Sequence, residues 1–472
     1  MMKNVLSPDS LARITAGRWL RAPAPGDLAE GVGIDSRDNL ARRLFFAIRG
    51  ERHDGHDHLA QAFANGAVAA VVERADAADT APGRPVLVVE SVRRALGRLA
   101  AAHRDTLTGA AVIAITGSAG KTTTKHLLGA MLSAALPGTC ARKSFNNDIG
   151  VPLSILEASP HDRFLVLEIG TNAPGEIAAL AAIARPDIAI ITSIGRAHLA
   201  GLGSVEHVLR EKGDLLDHLR RPTGGLAILP SAWPDLAARL RGGRAVWVGE
   251  DAAADLRLTA RGGDGPFWFE INGRERFDLL LPGRHNAINA MMAIAAARRL
   301  GVSDDAIAAA LAAAHGPPMR LERTTLGGVT LINDAYNANP ESMLASLHAF
   351  VELSRGATRR VLVLGDMLEL GDAATACHEE IGRAIAALDR HTAIARVCFI
   401  GQHAADVRRG LGSGWSGERF TSLPALADAA ARLVETLRPG DAVLLKGSRR
   451  IGLERLRTAL EARTALSAPA AV

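Results

Sequence analysis

The chain of 472 residues is too long for one ordinary hydrophobic core, and at roughly 100–200 residues per domain we expect about three domains. Hydrophobic residues make up 48% and charged residues 22%, a composition typical of globular proteins. The net charge of +5 is small for this length, and no Lys/Arg block or aromatic-interleaved basic stripe occurs. The composition therefore predicts no nucleic-acid partner.

The amino terminus and the cysteines indicate where the protein works. Residues 1–20 contain charges and a proline but no apolar segment of the kind found in signal peptides. No stretch approaches the ~20 uninterrupted apolar residues that a membrane span requires. The cysteines, Cys140, Cys377 and Cys398, are widely spaced and match no metal or redox pattern. We expect a cytoplasmic protein with reduced thiols and no membrane span.

The predicted elements of the first third alternate between strand and helix. Apolar strands are predicted at residues 44–48, 67–72 and 86–89, and a helix at 91–106. The continuous apolar run 111–115 then ends in Thr116-Gly117 and precedes a helical stretch from Lys121, which is the start of a βαβ unit. Further continuous runs at 164–167 and 188–191 favour parallel strands that are covered on both faces.

The remaining elements divide at Pro317-Pro318. Residues 246–281 contain glycine-rich turns and short alternating strands, and helices are predicted at 286–300 and 304–314. Strands are then predicted at 329–332, 361–364, 397–400 and 442–445. The low-complexity tail 467–472 is predicted to be disordered.

The strongest local signal is the segment T-G-S-A-G-K-T-T at residues 116–123, which we call the phosphate loop. Its glycines allow a tight turn in which successive N–H groups face phosphate oxygens, and the following helix adds a favourable dipole. Lys121 would reach the β- and γ-phosphates, and the Thr122 hydroxyl would bind Mg²⁺. The spacing differs from the usual nucleotide-binding motif, because Ile115 occupies the position of the first glycine.

Three further residues, which follow the phosphate loop in the sequence, have less specific signals. Glu168 ends a buried strand, where a parallel sheet delivers metal ligands to a bound nucleotide, and we expect it to bind Mg²⁺. His198 taken alone is as compatible with a surface or capping role, since Mg²⁺ prefers oxygen ligands. Lys212 taken alone fits a charged helix face. Lysine nevertheless carries information in this chain, because only six lysines occur among 55 lysines and arginines.

The order of these motifs resembles the Mur ligases, whose superfamily, shared with folylpolyglutamate synthases, uses the same short form of the phosphate loop. The similar segments are Glu168-Ile-Gly, Ala197-His198-Leu, Glu211-Lys212-Gly213 and residues 282–286, P-G-R-H-N. The resemblance implies that Thr122, Glu168 and His198 bind divalent metal. It also implies that Lys212 is carbamylated by CO₂ and becomes an anionic metal ligand, which requires burial to depress its pKa.

Within this family the branch that adds D-alanyl-D-alanine has the most similar signatures. They include N-D-A-Y-N-A-N-P at 333–340, with the only tyrosine of the chain, N-N-D-I-G-V-P at 146–152 and G-D-M-L-E-L-G at 365–371. Residues 44–56 are also similar, although Arg49 stands where we expect a lysine. No Asp-Asn-Pro-Arg motif, typical of the neighbouring diaminopimelate-adding ligase, is present.

The resemblance assigns the other candidate residues. For ATP binding they are Gly117, Ser118, Ala119, Gly120, Lys121, Thr122, Thr123, Asn289, Arg320, Asp334, Tyr336 and Asn337, with Asn289 on a helix beside adenine and Arg320 and Asp334 reaching phosphate and ribose. For the UDP-linked substrate they are Asp35, Ser36, Arg37, Arg49, Gly50, Asn146 and Asn147. Lys446, Ser448 and Arg449 would close over the reaction centre, and Lys121, Lys212, His198 and Arg320 would be catalytic.

The expected fold is α/β in three domains. A small α/β N-terminal domain (1–107) would bind the UDP moiety, a central parallel-sheet domain (108–318) would bind ATP, and a Rossmann-like C-terminal domain (319–472) would close the site. The implied reaction is the ATP- and Mg²⁺-dependent joining of D-alanyl-D-alanine to a UDP-linked muramoyl tripeptide through an acyl phosphate, by a monomer.

Other functions stay open at this stage. They are a sister Mur ligase or folylpolyglutamate-synthase-like ligase with another amine substrate, and a non-catalytic nucleotide-binding protein on the same fold. The presence of Lys121, Glu168, His198 and Lys212 favours an active enzyme over the last of these. A phosphate-loop NTPase that drives mechanical work is disfavoured, because it gives no role to an N-terminal nucleotide-like domain.

Overall fold

The computed structural model describes residues 6–24, 29–220, 224–263, 267–415 and 417–467. Three sheets follow one another along the chain, and each consists mainly of parallel strands. The predicted α/β class with three units is therefore confirmed. We call the units the N-terminal unit (residues 6–106), the central unit (111–313) and the C-terminal unit (319–467). Most of the tail that was predicted to be disordered, residues 468–472, lies outside the described residues.

The N-terminal unit contains a five-stranded sheet in the order β1-β5-β4-β3-β2, in which only β1 is antiparallel to its neighbour. Its elements are α1 (Pro8–Thr15), β1 (Arg18–Arg21), β2 (Gly31–Gly33), β3 (Arg43–Phe46), α2 (Leu59–Ala64), β4 (Ala69–Val72), β5 (Val86–Val88) and α3 (Val92–Thr106). Helix α3 begins where the sequence predicts, because the Ser91 side chain accepts a hydrogen bond from the backbone N–H of Arg94.

The central unit contains a nine-stranded sheet in the order β14-β13-β12-β11-β10-β9-β6-β8-β7. The strands are β6 (Ala111–Thr116), β7 (Gly138–Cys140), β8 (Phe164–Glu168), β9 (Ile188–Ile191), β10 (Leu226–Pro230), β11 (Arg244–Gly249), β12 (Leu256–Gly262), β13 (Phe267–Ile271) and β14 (Glu275–Leu279). The helices are α4 (Lys121–Ser133), α5 (Gly150–Glu157), α6 (Glu176–Ala184), α7 (Leu199–Leu202), α8 (Val205–Asp217), α9 (Arg284–Arg299) and α10 (Asp304–Ala313).

Strand β6 shows why the central strands have continuous apolar sequences. Val112 and Ala114 belong to one hydrophobic core cluster, whereas Ile113 and Ile115 belong to another on the opposite face. Both faces of the sheet are therefore covered, as parallel strands require. Strands β12 to β14 pair antiparallel, which explains the alternating pattern of residues 246–281.

The C-terminal unit contains a six-stranded sheet in the order β15-β16-β20-β17-β18-β19, with only β15 antiparallel. The strands are β15 (Glu322–Leu326), β16 (Val329–Asn333), β17 (Arg359–Gly365), β18 (Arg396–Ile400), β19 (Phe420–Leu423) and β20 (Asp441–Lys446). The helices are α11 (Pro340–Leu353), α12 (Ala374–Asp389), α13 (Ala404–Leu411), α14 (Leu426–Thr436) and α15 (Arg455–Ser467).

Short 3-10 helices occur at Gly55–His58, Ala75–Thr80, Pro234–Arg239, Gly371–Ala373, Gly417–Arg419 and Arg449–Ile451. Across the described ranges, no helix is both long enough and apolar enough to cross a membrane.

Candidate active site between the central and C-terminal units

A cleft of about 1070 Å³ separates the central unit from the C-terminal unit and contains most of the residues that the sequence singles out. The predicted residues that line it are Ser118, Ala119, Gly120, Lys121, Thr122, Thr123, Asn146, Asn147, Glu168, His198, Asn289, Arg320, Asp334, Tyr336, Asn337, Lys446, Ser448 and Arg449. The predicted residues that do not line it are Gly117, Lys212, Asp35, Ser36, Arg37, Arg49 and Gly50.

The phosphate loop connects β6 to α4 and requires glycine at two positions. Gly117 and Gly120 have φ angles of 150° and 84°, which side chains rarely allow. A Cβ at Gly120 would also lie 2.3 Å from the Oδ1 atom of Asn289, so that helix α9 packs directly against the loop. Asn289 thus contacts the phosphate end of the cleft, and its expected place beside adenine stays a prediction.

The ammonium of Lys121 lies over the loop. Its Nζ donates a hydrogen bond of 2.6 Å to the carbonyl of Gly117. Burial lowers the pKa of Lys121 and the guanidinium of Arg320 adds to this effect, while the carboxylate of Glu168 opposes it. The charge of Lys121 therefore interacts with the charges of Glu168 and Arg320.

The Thr122 hydroxyl is one of the points where the two units meet. It donates a hydrogen bond of 3.0 Å to Oε2 of Glu168 and accepts one of 2.9 Å from Nη2 of Arg320. The Arg320 guanidinium also lies 4.4 Å from the centre of the Tyr336 ring, and the Tyr336 hydroxyl donates to Ser144 at 2.6 Å. Arg320 and Tyr336 thus reach the central unit from the C-terminal unit.

Lys125 was not assigned a role by the sequence analysis. Its ammonium is buried one helical turn after Lys121 and lies 3.1 Å from Oε2 of Glu168. Burial would raise the pKa of Glu168, but Lys125, Lys121 and Arg320 together hold it below its ordinary value. The i, i+4 spacing of the two lysines on one helix was the available signal, because such residues share a face.

Lys212 lies in helix α8 and is 1% exposed. Burial lowers its pKa well below the usual value, and the positive charge of Lys121 lowers it further, whereas Glu211 opposes the shift. A neutral amine is the form that reacts with CO₂, so this environment fits the carbamylation that the family resemblance implies. The modification itself stays a prediction.

His198 contacts the C-terminal unit. It adopts a φ of 58°, and its Nδ1 lies 2.7 Å from Oε2 of Glu369, a residue of the C-terminal unit. The backbone N–H of Ala200 also donates to the carbonyl of Glu369 at 2.9 Å. Glu369 belongs to the quoted segment 365–371 but received no role from the sequence.

The cleft residues of the C-terminal unit hold one another. The Lys446 ammonium lies 2.7 Å from Oδ2 of Asp334 and donates to the carbonyl of Asn337 at 3.0 Å. The Ser448 hydroxyl accepts a hydrogen bond of 2.8 Å from the backbone N–H of Leu368. Arg449 lies 3.0 Å from Glu454 and is about half exposed.

The candidate UDP residues lie at the carboxyl edge of the N-terminal sheet, after strands β2 and β3, which is the usual ligand edge of a parallel sheet. Arg37 and Asp35 form an exposed ion pair at 2.6 Å, and the buried Ser36 donates to Gln61 at 2.8 Å. Arg93 joins this edge to the central unit, since it contacts the Arg49 carbonyl at 3.4 Å and Asp148 at 2.9 Å. In the central unit, Asn146 donates to Oε1 of Glu168 at 3.0 Å, and the Asn147 side chain accepts from the Gly150 N–H at 2.9 Å.

The oxygens of Thr122 and Glu168 form a donor set that fits Mg²⁺, a hard cation that prefers carboxylate and hydroxyl ligands. Among the described residues, no group of three or more His, Cys, Asp and Glu side chains could hold a metal ion.

Family models match most of the chain in the order of the three units. The models are the Mur ligase family catalytic domain at residues 29–104, the Mur ligase middle domain at 115–297 and the Mur ligase glutamate ligase domain at 319–449. The chain therefore belongs to the Mur ligase family, whose members are ATP-dependent ligases.

Two ligases and two solved structures show which Mur ligases this chain resembles. The UDP-N-acetylmuramoyl-tripeptide--D-alanyl-D-alanine ligase of Escherichia coli is 35% identical over 92% of this chain and 94% of its own length, and that of Bacillus subtilis is 34% identical over 95% and 96%. A crystal structure of MurF from Acinetobacter baumannii superposes with a TM-score of 0.86 at 32% identity, covering 97% of this chain and 98% of that one. The MurF ligase of Thermotoga maritima in complex with ADP gives 0.79 at 27% identity, covering 94% and 100%.

Proposed function

We propose that the chain joins D-alanyl-D-alanine to a UDP-N-acetylmuramoyl tripeptide in peptidoglycan precursor synthesis, with ATP converted to ADP and phosphate. The observation that carries this function is the contact of Arg320 and Glu168 with the same Thr122 hydroxyl at the end of the phosphate loop. The curated relatives with this activity match at 34–35% identity over more than nine tenths of the chain. The proposal includes domain boundaries at 107/108 and 318/319 and a cytoplasmic location, where ATP is available.

The first chemical step brings two anions together, because the terminal carboxylate of the tripeptide attacks the γ-phosphorus of ATP. Lys121 and Arg320 face the phosphate position from opposite units and reduce the repulsion between the reactants. A Mg²⁺ ion held by Thr122 and Glu168 would neutralise charge on the phosphates. The products of this step are an acyl phosphate and ADP.

In the second step the amine of D-alanyl-D-alanine attacks the activated carbonyl, and inorganic phosphate leaves. The acyl phosphate is sensitive to water, so the cleft must stay closed until the amine has reacted. The C-terminal unit closes it through Tyr336, which reaches Ser144, and through Glu369, which contacts His198. These contacts support a closing role for this unit during the reaction.

The proposed path of the long substrate runs from the N-terminal unit to the phosphate loop. The UDP end would bind at the carboxyl edge of the first sheet, near Ser36 and the Arg49-Gly50 turn. Arg93 brings this edge against Asp148, beside two asparagines that line the cleft. The muramoyl peptide would therefore pass Asn146 and Asn147 before its carboxylate reaches Lys121.

The test is an amine-specificity assay with the purified protein. The protein is mixed with Mg²⁺, ATP and UDP-N-acetylmuramoyl tripeptide, and ADP release is measured with D-alanyl-D-alanine, with a diamino acid or with glutamate. We expect ADP release and ligated product only with the D-alanine dimer. Product with a diamino acid or glutamate would identify a sister ligase, and the absence of ADP release with every amine would refute the proposed activity.

A further inference from the structure

The guanidinium of Arg196, in the segment after β9, lies between two carboxylates of the C-terminal unit. Its Nε donates to Oε1 of Glu341 at 2.9 Å, and its Nη1 and Nη2 donate to the two oxygens of Glu380 at 2.5 and 3.1 Å. The backbone N–H of Arg196 also donates to Oε2 of Glu341 at 3.0 Å. The Glu380 hydrogen bonds are the first cause that raises the pKa of Arg196, and the side chain is 29% exposed. One residue of the central unit thus makes four charge-assisted hydrogen bonds to the C-terminal unit.

The segment that carries Arg196 is also bound to the phosphate loop. The Ser118 hydroxyl donates to the Gly195 carbonyl at 3.1 Å and accepts from the Gly195 N–H at 3.0 Å. The backbone N–H of Ser118 donates to the Ser193 carbonyl at 2.9 Å. A displacement of Arg196 would therefore be transmitted to the loop that carries Lys121.

The start of helix α11 contacts the same place from the other side. The Asn339 side chain caps this helix and donates to the Ser118 carbonyl at 3.1 Å. A Cβ at Gly195 would lie 2.7 Å from the carboxyl carbon of Glu341, so a side chain here would force the Glu341 carboxylate to shift. The helix end, the phosphate loop and Arg196 consequently meet in one compact junction.

We propose that Arg196 is a positioning residue that locks the C-terminal unit onto the phosphate loop during formation and capture of the acyl phosphate. The inference rests on the proposed function. Arg196 need not touch ATP, because it acts through Glu341 and Glu380, which determine where α11 and α12 lie above the loop. Its loss leaves the loop chemistry present but shortens the time for which the cleft is closed.

The experiment compares R196M with the matched control R298M. Arg298 also binds two carboxylates, Glu275 and Asp304, and is 26% exposed, but all three residues belong to the central unit. We expect R196M to lower kcat about tenfold with KM for the UDP-tripeptide within about twofold, because this substrate binds to the other two units. We expect R298M to keep the wild-type kcat. E380Q should reduce kcat less than R196M, and the double variant R196M/E380Q should be no slower than R196M alone.

Small-angle X-ray scattering measures closure of the cleft in the absence of turnover. With Mg²⁺ and the non-hydrolysable analogue AMP-PNP, the radius of gyration of R196M should exceed that of wild type and R298M. Equal radii in all three proteins, or a wild-type kcat for R196M, would overturn the lock. If R196M does not fold, E380Q replaces it, and a wild-type kcat and radius of E380Q overturn the proposal. A wild-type protein without ADP release would refute the proposed ligase activity, whereas the scattering comparison would still decide whether the lock exists.

Discussion

Charged residues at the phosphate loop and at the carboxyl edge of the N-terminal sheet have opposite environments. Lys212, Glu168 and Lys125 are between 1% and 6% exposed, and the pKa of Lys212 lies well below its usual value because of burial. The Asp35–Arg37 pair is 36% and 79% exposed, and hydrogen bonds from Arg37 lower the pKa of Asp35 to about 2. Burial changes the reactivity of charges of the first kind, whereas exposed pairs of the second kind are screened by salt.

Lys121→Ala should have the largest effect on the buried side of this comparison. Without the ammonium, the attacking carboxylate and the γ-phosphate repel each other, and we expect kcat to fall roughly a thousandfold. ADP release with all substrates present measures the loss. Lys143→Ala removes an exposed lysine and should keep full activity; a K121A enzyme within tenfold of wild type would exclude this role for Lys121.

Lys212→Met tests whether the depressed pKa serves carbamylation. We expect a carbamate signal in the ¹³C NMR spectrum of the wild-type protein with ¹³C-bicarbonate, its absence in K212M, and a kcat lower by roughly a hundredfold. Because burial lowers the folded-state pKa of Lys212, a larger fraction of its amine is neutral at a given pH than for an exposed lysine, and the signal should weaken as pH falls. K143M should retain the signal. A wild-type spectrum without it, or a K212M spectrum that keeps it, would contradict the modification.

Glu168→Gln removes the negative charge that contacts Lys125 and would also bind Mg²⁺. We expect kcat to fall roughly a hundredfold and the Mg²⁺ concentration for half-maximal activity to rise, because a neutral amide is a poorer metal ligand. The variant also leaves Lys125 buried without its partner, which should cost roughly 3 kcal/mol of unfolding free energy.

The pH dependence of unfolding tests whether ionised Glu168 stabilises the fold. Its folded-state pKa is lowered, so its ionisation stabilises the fold above the ordinary carboxyl pKa of about 4.3, and this stabilisation is lost as pH falls through the folded-state value. Urea unfolding of E168Q should therefore depend less on pH in the acid range than that of wild type. Identical pH profiles would show that Glu168 is not coupled to these cations.

Arg37→Ala should have the smallest effect, on the exposed side. We expect KM for the UDP-tripeptide to rise about threefold at low salt, with less change at high salt and an unchanged kcat. Since the pKa of Asp35 is about 2, the pair stays ionised above pH 4, so the effect should not change between pH 6 and 9. A changed kcat would place Arg37 in the chemistry rather than in binding.

Elements whose signal is local could be predicted from the sequence. Strands β6, β8 and β9 are continuous apolar runs, and the structure places them at nearly the predicted residues. Helix α3 follows its Ser91 cap, and β12 to β14 follow the alternating pattern. Strand β7 was missed, because three residues with exposed and half-buried side chains at a sheet edge give no such pattern.

Site residues could be predicted where the signal lies within one short segment. Examples are the phosphate loop and Glu168, which ends a buried strand. Contacts between distant segments were not predictable. The pairing of Arg196 with Glu380 spans 184 residues, and that of Tyr336 with Ser144 spans 192. Arginine is common in this sequence, so nothing distinguished Arg196 from a solvated surface residue until the fold brought the carboxylates to it. Asp334 and Lys446 were both singled out, but their mutual contact required the register of β16 beside β20.

The distribution of lysine amines has a practical consequence for chemical probing. Of the five lysines in the described ranges, Lys125, Lys212 and Lys446 are buried and Lys121 is half-buried, which leaves only the Lys143 side chain exposed. An amine-directed acylating reagent therefore meets little background from this part of the chain. Protection of Lys121 by a nucleotide can then be followed peptide by peptide in a mass spectrometer, with Lys143 as the internal standard.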